Sequence, residues 1–276
     1  MTDQSKIAAI QMASSPNVNA NLLEAARLAE DAAKSGAKLI VLPENFAFIG
    51  KRDKDLLNLK ESAQGGPLQD FLSSLAKRLK IWIVGGTIPI EADDATKVYA
   101  SCLVYNDKGK KVARYDKIHL FDVHLTETDE HYAESAVIEA GDKLVVIDTP
   151  FGKLGLAICY DLRFPELFRL LLNRGAEIIA IPASFTALTG KAHWETLVRA
   201  RAIENLCYVI AAAQGGYHIS GRETHGKSLI ADPWGTVIAK VPRGSAHIVS
   251  SLDMDFLKAT RRNFPCIEHR RFCTDL

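Results

Sequence analysis

The sequence predicts an α/β fold, and three observations carry that expectation. Short apolar runs of strand length alternate with helical patterns almost from end to end. One strand-containing segment occurs twice in similar form, once on each side of the middle. No Ser/Gly/Pro-rich tract and no block of like charge divides the 276 residues. Length permits one large domain or two modest ones, and the unbroken pattern favours a single domain over residues 1–276.

Residues 7–12, 38–42, 81–85, 153–158, 177–181 and 208–212 read as strands with little polar alternation, as strands buried on both faces do. After the first of them, Leu22, Ala26, Ala29 and Ala33 recur at helical spacing, and Gly36 is placed to cap that helix. Pro67 opens a second helix carrying Leu68, Phe71, Leu72 and Leu75. Pro165 opens another, continued by Leu167, Phe168, Leu171 and Leu172. Residues 191–206 read as a further helix, with Glu195 four residues before Arg199. The repeat pairs Gly36-Ala37-Lys38-Leu39-Ile40-Val41-Leu42-Pro43 with Gly175-Ala176-Glu177-Ile178-Ile179-Ala180-Ile181-Pro182. Each copy ends a helix at Gly and a buried strand at Pro, which suggests two similar halves packed together. Residues 122–134, rich in His, Glu and Thr, lack a pattern and read as a functional or mobile loop. From about residue 255 the chain reads as a C-terminal arm at an oligomer interface or as a frayed end, Arg-dense over 261–276 with Phe264, Ile267 and Phe272.

Composition excludes several classes. A net charge of +1 gives no global field towards nucleic acid or an anionic membrane. Residues 1–6 contain no apolar h-region, and no apolar run reaches spanning length, so a cytoplasmic protein is expected. The five cysteines (Cys102, Cys159, Cys207, Cys266, Cys273) are odd in number, far apart and without a C-x-x-C pair, which predicts reduced and mostly buried thiols. The His119-x4-His124 spacing has no third ligand beside it, so neither metal nor cofactor is expected.

Three residues could carry chemistry. Cys159 ends an apolar run and precedes the Pro165 helix, a strand-to-helix turn that exposes a nucleophile and offers backbone N–H groups to an oxyanion. Free cysteine is also among the most buried residue types, so packing alone is the competing reading. Glu44 follows a strand-ending Pro, where a carboxylate beside Phe46 can serve as general base or simply sit in a loop. Lys117 is either a solvated charge or a cation that stabilises a thiolate and a tetrahedral intermediate.

The segments Leu42-Pro43-Glu44-Asn45-Phe46, Tyr115-Asp116-Lys117-Ile118-His119-Leu120-Phe121-Asp122 and Ile158-Cys159-Tyr160-Asp161-Leu162-Arg163-Phe164-Pro165-Glu166-Leu167 occur in that order. Together they resemble the Glu-Lys-Cys signature of the nitrilase superfamily of carbon-nitrogen hydrolases, over essentially the whole chain. The resemblance implies a four-layer α-β-β-α sandwich. It implies Cys159 as nucleophile, Glu44 as general base, and Lys117 with the Tyr160 N–H as oxyanion donors. A second glutamate that contacts the lysine is implied as well; Glu134 occupies the matching place, with Glu127, Glu130 and Glu139 as neighbours that compete for it.

Thr189-Gly190-Lys191-Ala192-His193-Trp194-Glu195, residues 199–205, Ala211-Ala212-Ala213-Gln214-Gly215-Gly216 and Asp232-Pro233-Trp234-Gly235 further resemble the deaminated glutathione amidase branch. That branch implies hydrolysis of an amide carrying two carboxylates, which calls for cations in the pocket. Tyr160, Arg163, Phe46, Thr189 and Arg199 are the expected substrate contacts, with Lys191, His193, His218 and Arg222 as further candidates; pairing with Glu166 is the alternative for Arg163. The family's Gly-His-Ser stretch is replaced here by His225-Gly226-Lys227-Ser228, which adds a cation. An ω-amidase acting on 2-oxoglutaramate-like compounds, a non-catalytic nitrilase-like binding subunit, and a Cys-His mechanism with His119 or His193 as base are the competing readings. The family associates through helices near the nucleophile, so residues 163–173 are expected at the interface of a homodimer or larger assembly.

Overall fold

The computed structural model describes residues 5–127, 129–242 and 244–272. Two sheets form its centre. The first is ordered Ala246–Ser251, Lys6–Gln11, Ala37–Val41, Trp82–Val84, Val98–Tyr105 and Ile88–Glu91, with Lys111–Asp116 also paired to Val98–Tyr105. The second is ordered Val237–Lys240, Leu229–Ala231, Tyr208–Ala213, Ile178–Ala183, Gly152–Leu156 and Val146–Thr149. In each, three neighbouring central strands run parallel. Parallel neighbours need crossovers, and helices supply them. Helices α1 (Val18–Lys34) and α2 (Pro67–Leu79) cover the first sheet; α3 (Pro165–Asn173), the short α4 (Ala187–Thr189) and α5 (Glu195–Asn205) lie on the side of the second.

Strand alternation explains why the apolar runs are unbroken. Ala8 and Ile10 pack with Leu28, Ala29 and Leu72 beneath α1 and α2. Their neighbours Ile7 and Ala9 face the second sheet, in a cluster with Leu39, Val41, Ile179 and Val209. That same cluster continues through the second sheet to Phe168, Leu171 and Val198 on α3 and α5. Helix, sheet, sheet and helix are therefore the four layers, and strands buried on both faces need no polar period. The repeated segments occupy equivalent central strands, each entered through a glycine of positive φ, Gly36 at 96° and Gly175 at 89°.

Two expectations change, and the start of the C-terminal arm gains detail. Residues 122–134 are not a loop: Asp122–Leu125 pairs antiparallel with Glu130–Ala133, and the turn Glu134–Ala136 follows. The pairing is cross-strand, between residues such as Val123 and Tyr132, so no single-strand pattern betrays it. Residues 191–206 are two elements, a π-turn at Gly190–Trp194 and then α5, and Glu195 pairs with Lys240 rather than Arg199. The expected arm begins as helix α6 (Met254–Asn263) against its own chain, where Leu257 is buried and Arg261 donates to the carbonyls of Leu206 (2.9 Å) and Ala176 (2.8 Å). Met1–Gln4, Cys273 and the end of the expected arm lie outside the described residues. Among the described residues no helix is long and apolar enough to cross a membrane.

Candidate active site

Three chain segments end at one cavity. The strand Ala37–Val41 continues through Pro43 to Glu44, after which Asn45 turns at φ 55°, a left-handed conformation that Asn tolerates better than most residues. The Asn45 N–H donates to Thr87 Oγ1 at 2.8 Å. Gly86 is the reason this segment can approach so closely: its φ is 58°, and a Cβ there would lie 2.1 Å from the Pro43 carbonyl oxygen. Gln214, from the second sheet, donates through Nε2 to the Glu44 carbonyl (2.9 Å) and to Ser14 Oγ (2.8 Å), fixing the Glu44 backbone across the sandwich.

Lys117 directly follows the strand Lys111–Asp116. Its main chain is held by Ala100 O (3.0 Å) and by the Gly141 N–H (2.8 Å). Its side chain is only 1% exposed, which rules out the solvated surface charge that most lysines are. The ammonium donates to Glu44 Oε1 at 2.9 Å and to both Glu134 oxygens at 2.7 and 2.8 Å. Glu134 Oε2 also accepts the Phe121 N–H at 2.6 Å.

Cys159 opens the turn Cys159–Arg163 at φ 45°. For a residue with a Cβ this conformation costs about 1–2 kcal/mol and must be imposed by its surroundings. Asp161 imposes it. Fully buried, its carboxylate accepts from Tyr115 OH (2.6 Å) and the Ile158 N–H (2.8 Å) through Oδ2. Through Oδ1 it meets the His119 N–H (3.0 Å) and His119 Nδ1 (2.7 Å). Arg201 clamps the far end, donating from Nε and Nη2 to the Leu162 carbonyl at 3.0 and 2.8 Å. The Ser184 N–H, at the end of the second repeated strand, donates to Cys159 Sγ at 3.4 Å.

The electrostatics follow from burial. Desolvation acts to lower the Lys117 pKa, but Glu134, Glu44 and Cys159 together overcome it and hold the ammonium well above its ordinary value. Burial, and then the charge of Glu44, push the Cys159 thiol well up, against the opposing pull of Lys117 and the Ser184 N–H. Burial raises Glu134 as well, partly offset by Lys117. A buried thiol beside a carboxylate, with a permanent cation between two carboxylates, can perform acyl transfer: the carboxylate takes the thiol proton, and the cation meets charge that develops on a carbonyl oxygen.

The cavity above these groups has a volume of about 500 Å³. Phe121, Tyr132, Tyr160 and Phe185 wall it, and Arg163 and Arg222 bring cations into it. Arg163 lies over the rings of Tyr160 (5.8 Å) and Phe185 (5.1 Å) and meets His193 Nδ1 at 3.2 Å, so rings rather than Glu166 position it. Arg222 lies over the Tyr132 ring at 5.2 Å and donates to the Ser184 carbonyl. Thr189 lines the cavity with its hydroxyl 2.8 Å from that of Thr186. Two expected contacts are elsewhere. Phe46 is fully buried against Phe71 in the core beneath α1 and α2. Arg199 is exposed and donates to the Gly235 carbonyl at 2.8 Å. Lys191, His193, His218 and Lys227 do not line the cavity. His218 is instead buried between Ser14 O and Thr224 Oγ1, and the Lys227 carbonyl accepts from Trp194 Nε1 at 2.9 Å. His119 is likewise outside it, engaged with Asp161 and stacked on Phe164 at 3.7 Å.

Asp161 and Ser184 were not singled out from the sequence. A signal for Ser184 existed: Pro182-Ala183-Ser184 ends its strand as Pro43-Glu44-Asn45 ends the other, so both repeat copies deliver backbone to the same place.

Comparison with known proteins gives the family and the fold. The carbon-nitrogen hydrolase family model matches residues 6–262. A protein of Synechocystis sp. named deaminated glutathione amidase is 43% identical over 268 residues, covering 96% of this chain and 97% of that one. The crystal structure of Saccharomyces cerevisiae Nit3, described as a member of branch 10 of the nitrilase superfamily, superposes with a TM-score of 0.87 at 34% identity, over 98% of this chain and 97% of the other. The Caenorhabditis elegans NitFhit protein gives a TM-score of 0.88 at 36% identity; the match covers 97% of this chain but only 65% of that longer one. The chain belongs to the carbon-nitrogen hydrolase family, with the nitrilase-superfamily fold.

Proposed function

We propose that this amidase cleaves deaminated glutathione to 2-oxoglutarate and cysteinylglycine, through a thioester on Cys159. The observation that carries the mechanism is the convergence of Cys159, Glu44, Lys117 and Glu134 at one cavity. Glu44 takes the Cys159 proton as sulfur attacks the amide carbonyl carbon. The oxyanion forms against the Lys117 ammonium and the Tyr160 N–H. Collapse breaks the C–N bond, and the proton held by Glu44 passes to the leaving amine. A water molecule, deprotonated by Glu44, then attacks the thioester; the carboxylic acid leaves, and the proton returns to sulfur. Glu134 holds Lys117 in place and does not itself react.

The substrate assignment rests on the names of the relatives together with Arg163 and Arg222, cations suited to carboxylates in a cavity that Lys51, Arg52, Asp53 and Glu130 also line. Parallel measurement of kcat/KM on deaminated glutathione and 2-oxoglutaramate tests it. The longer amide should be preferred; preference for the shorter one would make the chain an ω-amidase. Cys159→Ala should abolish hydrolysis of both, and full retained activity would remove the nucleophile assignment.

The same proposal includes a homodimer or larger assembly through residues 163–173, tested by sedimentation, where a monomer refutes it. It includes one domain over residues 1–276, which the pairing of Lys6–Gln11 with Ala246–Ser251 supports by tying both ends of the chain into one sheet. A single calorimetric unfolding transition is expected, and two independent ones would overturn it. It includes the cytoplasm, where a nucleophilic thiol stays reduced; secretion of the protein in cell fractionation would overturn that.

A further inference from the structure

A second group of reactive side chains stands at the cavity mouth, on the hairpin Asp122–Leu125/Glu130–Ala133. His124 and His131 are directly opposite each other across the ladder, their rings stacked 3.8 Å apart at 12°. Asp129, in the connecting turn at φ 54°, places Oδ1 3.1 Å from His124 Nε2 and 3.5 Å from His131 Nε2. One donor atom from each residue lies within 4.8 Å of the other two, and all three residues are exposed. Nitrogen and carboxylate oxygen ligands sit about 2.0–2.2 Å from a zinc ion, so tetrahedral geometry puts neighbouring ligand atoms about 3.3 Å apart. The two contacts to Asp129 bracket that value. The ladder places the two histidines opposite each other, and their exposed side chains leave room for the stacked rings to rotate apart, as both must for their in-plane lone pairs to meet on one ion.

We propose that His124, Asp129 and His131 form a three-ligand site for a zinc-class divalent transition metal, with its fourth position open to water or an anionic ligand. Its occupation would pin the two strands of a hairpin that also supplies cavity residues His131 and Tyr132 and runs directly into Glu134, the partner of Lys117. Metal binding would thereby set the rigidity of the cavity mouth. The site is independent of which amide the enzyme cleaves.

Zinc titration of the full-length Cys159→Ala protein, in which the active-site thiol cannot compete, tests this by calorimetry and by hydrogen exchange. One equivalent should bind and protect the amides of residues 122–133. Adding His124→Gln or Asp129→Asn, neither of which lines the cavity, should weaken that binding roughly 100-fold and remove the protection. In the Cys159-containing protein, Co2+ should show the visible absorption of a tetrahedral site, lost in His124→Gln. Equal zinc binding with and without the hairpin substitutions, or binding no tighter than millimolar, would overturn the proposal.

Discussion

Replacing Asp161 by Asn isolates the contribution of the turn that holds Cys159. The exchange keeps the shape of a fully buried side chain while removing its charge and converting one acceptor oxygen into a donor. Four contacts change: Tyr115 OH, the Ile158 N–H, the His119 N–H and His119 Nδ1. Whichever way the amide is turned, its NH2 faces one backbone N–H, of Ile158 or of His119. A buried donor left without an acceptor costs about 1–3 kcal/mol. The two hydrogen bonds that survive lose their charge assistance, about 1 kcal/mol each. Relief of the buried charge offsets part of this. The expected loss of stability is therefore about 3 kcal/mol, a sizeable part of a typical 5–15 kcal/mol. Because nothing else imposes φ 45° on Cys159 through so many contacts, kcat should fall with it, by roughly 10–100-fold as a nucleophile relaxes by a fraction of an ångström. Urea unfolding gives the first quantity and amide hydrolysis the second. A variant within about 1 kcal/mol of wild type, with kcat within about twofold, would refute the idea that Asp161 builds the elbow.

Three other outcomes follow from the same geometry. Glu44→Gln should lower kcat by about 10²–10⁴-fold through loss of the base, yet make Cys159 alkylate faster with iodoacetamide at fixed pH, because Glu44 raises the thiol pKa and Lys117 then acts with less opposition; slower alkylation would contradict that electrostatic account. Gly86→Ala should cost about 2–4 kcal/mol and reduce kcat, since its Cβ meets the Pro43 carbonyl at 2.1 Å and φ is positive; an unchanged melting temperature would show that the strap carrying Glu44 yields freely. Burial, then Lys227 and Lys240, lower His225 to about 4, below its unfolded value near 6.5, so stability is full above about pH 6.5 and declines as pH falls towards 4 while the unfolded chain takes up the proton. His225→Gln should flatten that acid limb by about 1–2 kcal/mol after allowance for the half-exposed ring, and identical pH profiles of unfolding would exclude the contribution.

The residues show which parts of this molecule its sequence made legible. Ile7–Ile10 and Ile178–Ile181 read as strands because burial on both faces leaves a continuous apolar run, and both belong to sheets sealed by helices. Cys159, Glu44 and Lys117 are legible through the three ordered motifs that carry them rather than singly; Lys117 in particular follows a strand that is only partly buried. Phe46 did not reveal its direction: the sequence gives its apolarity, while the left-handed Asn45 before it turns it away from the cavity and onto Phe71. Arg199 resembled a substrate cation by motif alone, but its exposed position on α5 lets it bind the Gly235 carbonyl. The hairpin at 122–133 was hidden because its order is cross-strand, and Asp161 because an acceptor for donors as far off in sequence as Tyr115 is recognised only when the chain closes.

The arrangement also accounts for a difficulty that it creates. A thiol pushed well above its ordinary pKa is a poor resting nucleophile, and a fully buried lysine should lose its proton. Both follow from one distribution of charge. Removing an ammonium from water costs several kcal/mol, and a contact near 3 Å returns on the order of 5 kcal/mol at an effective dielectric constant of about 20. One carboxylate would therefore roughly break even, whereas Glu44 and Glu134 together keep Lys117 charged. With both glutamates taken as carboxylates, the centre sums to two negative charges and one positive around the thiol. On the proposed mechanism, moving the Cys159 proton to Glu44 leaves that sum unchanged and shifts one negative charge from carboxylate to sulfur, then on to the oxyanion beside Lys117. Attack creates no new net charge in a site that could not solvate it, and the thiol gives up its proton only when a carbonyl is present to receive its electrons.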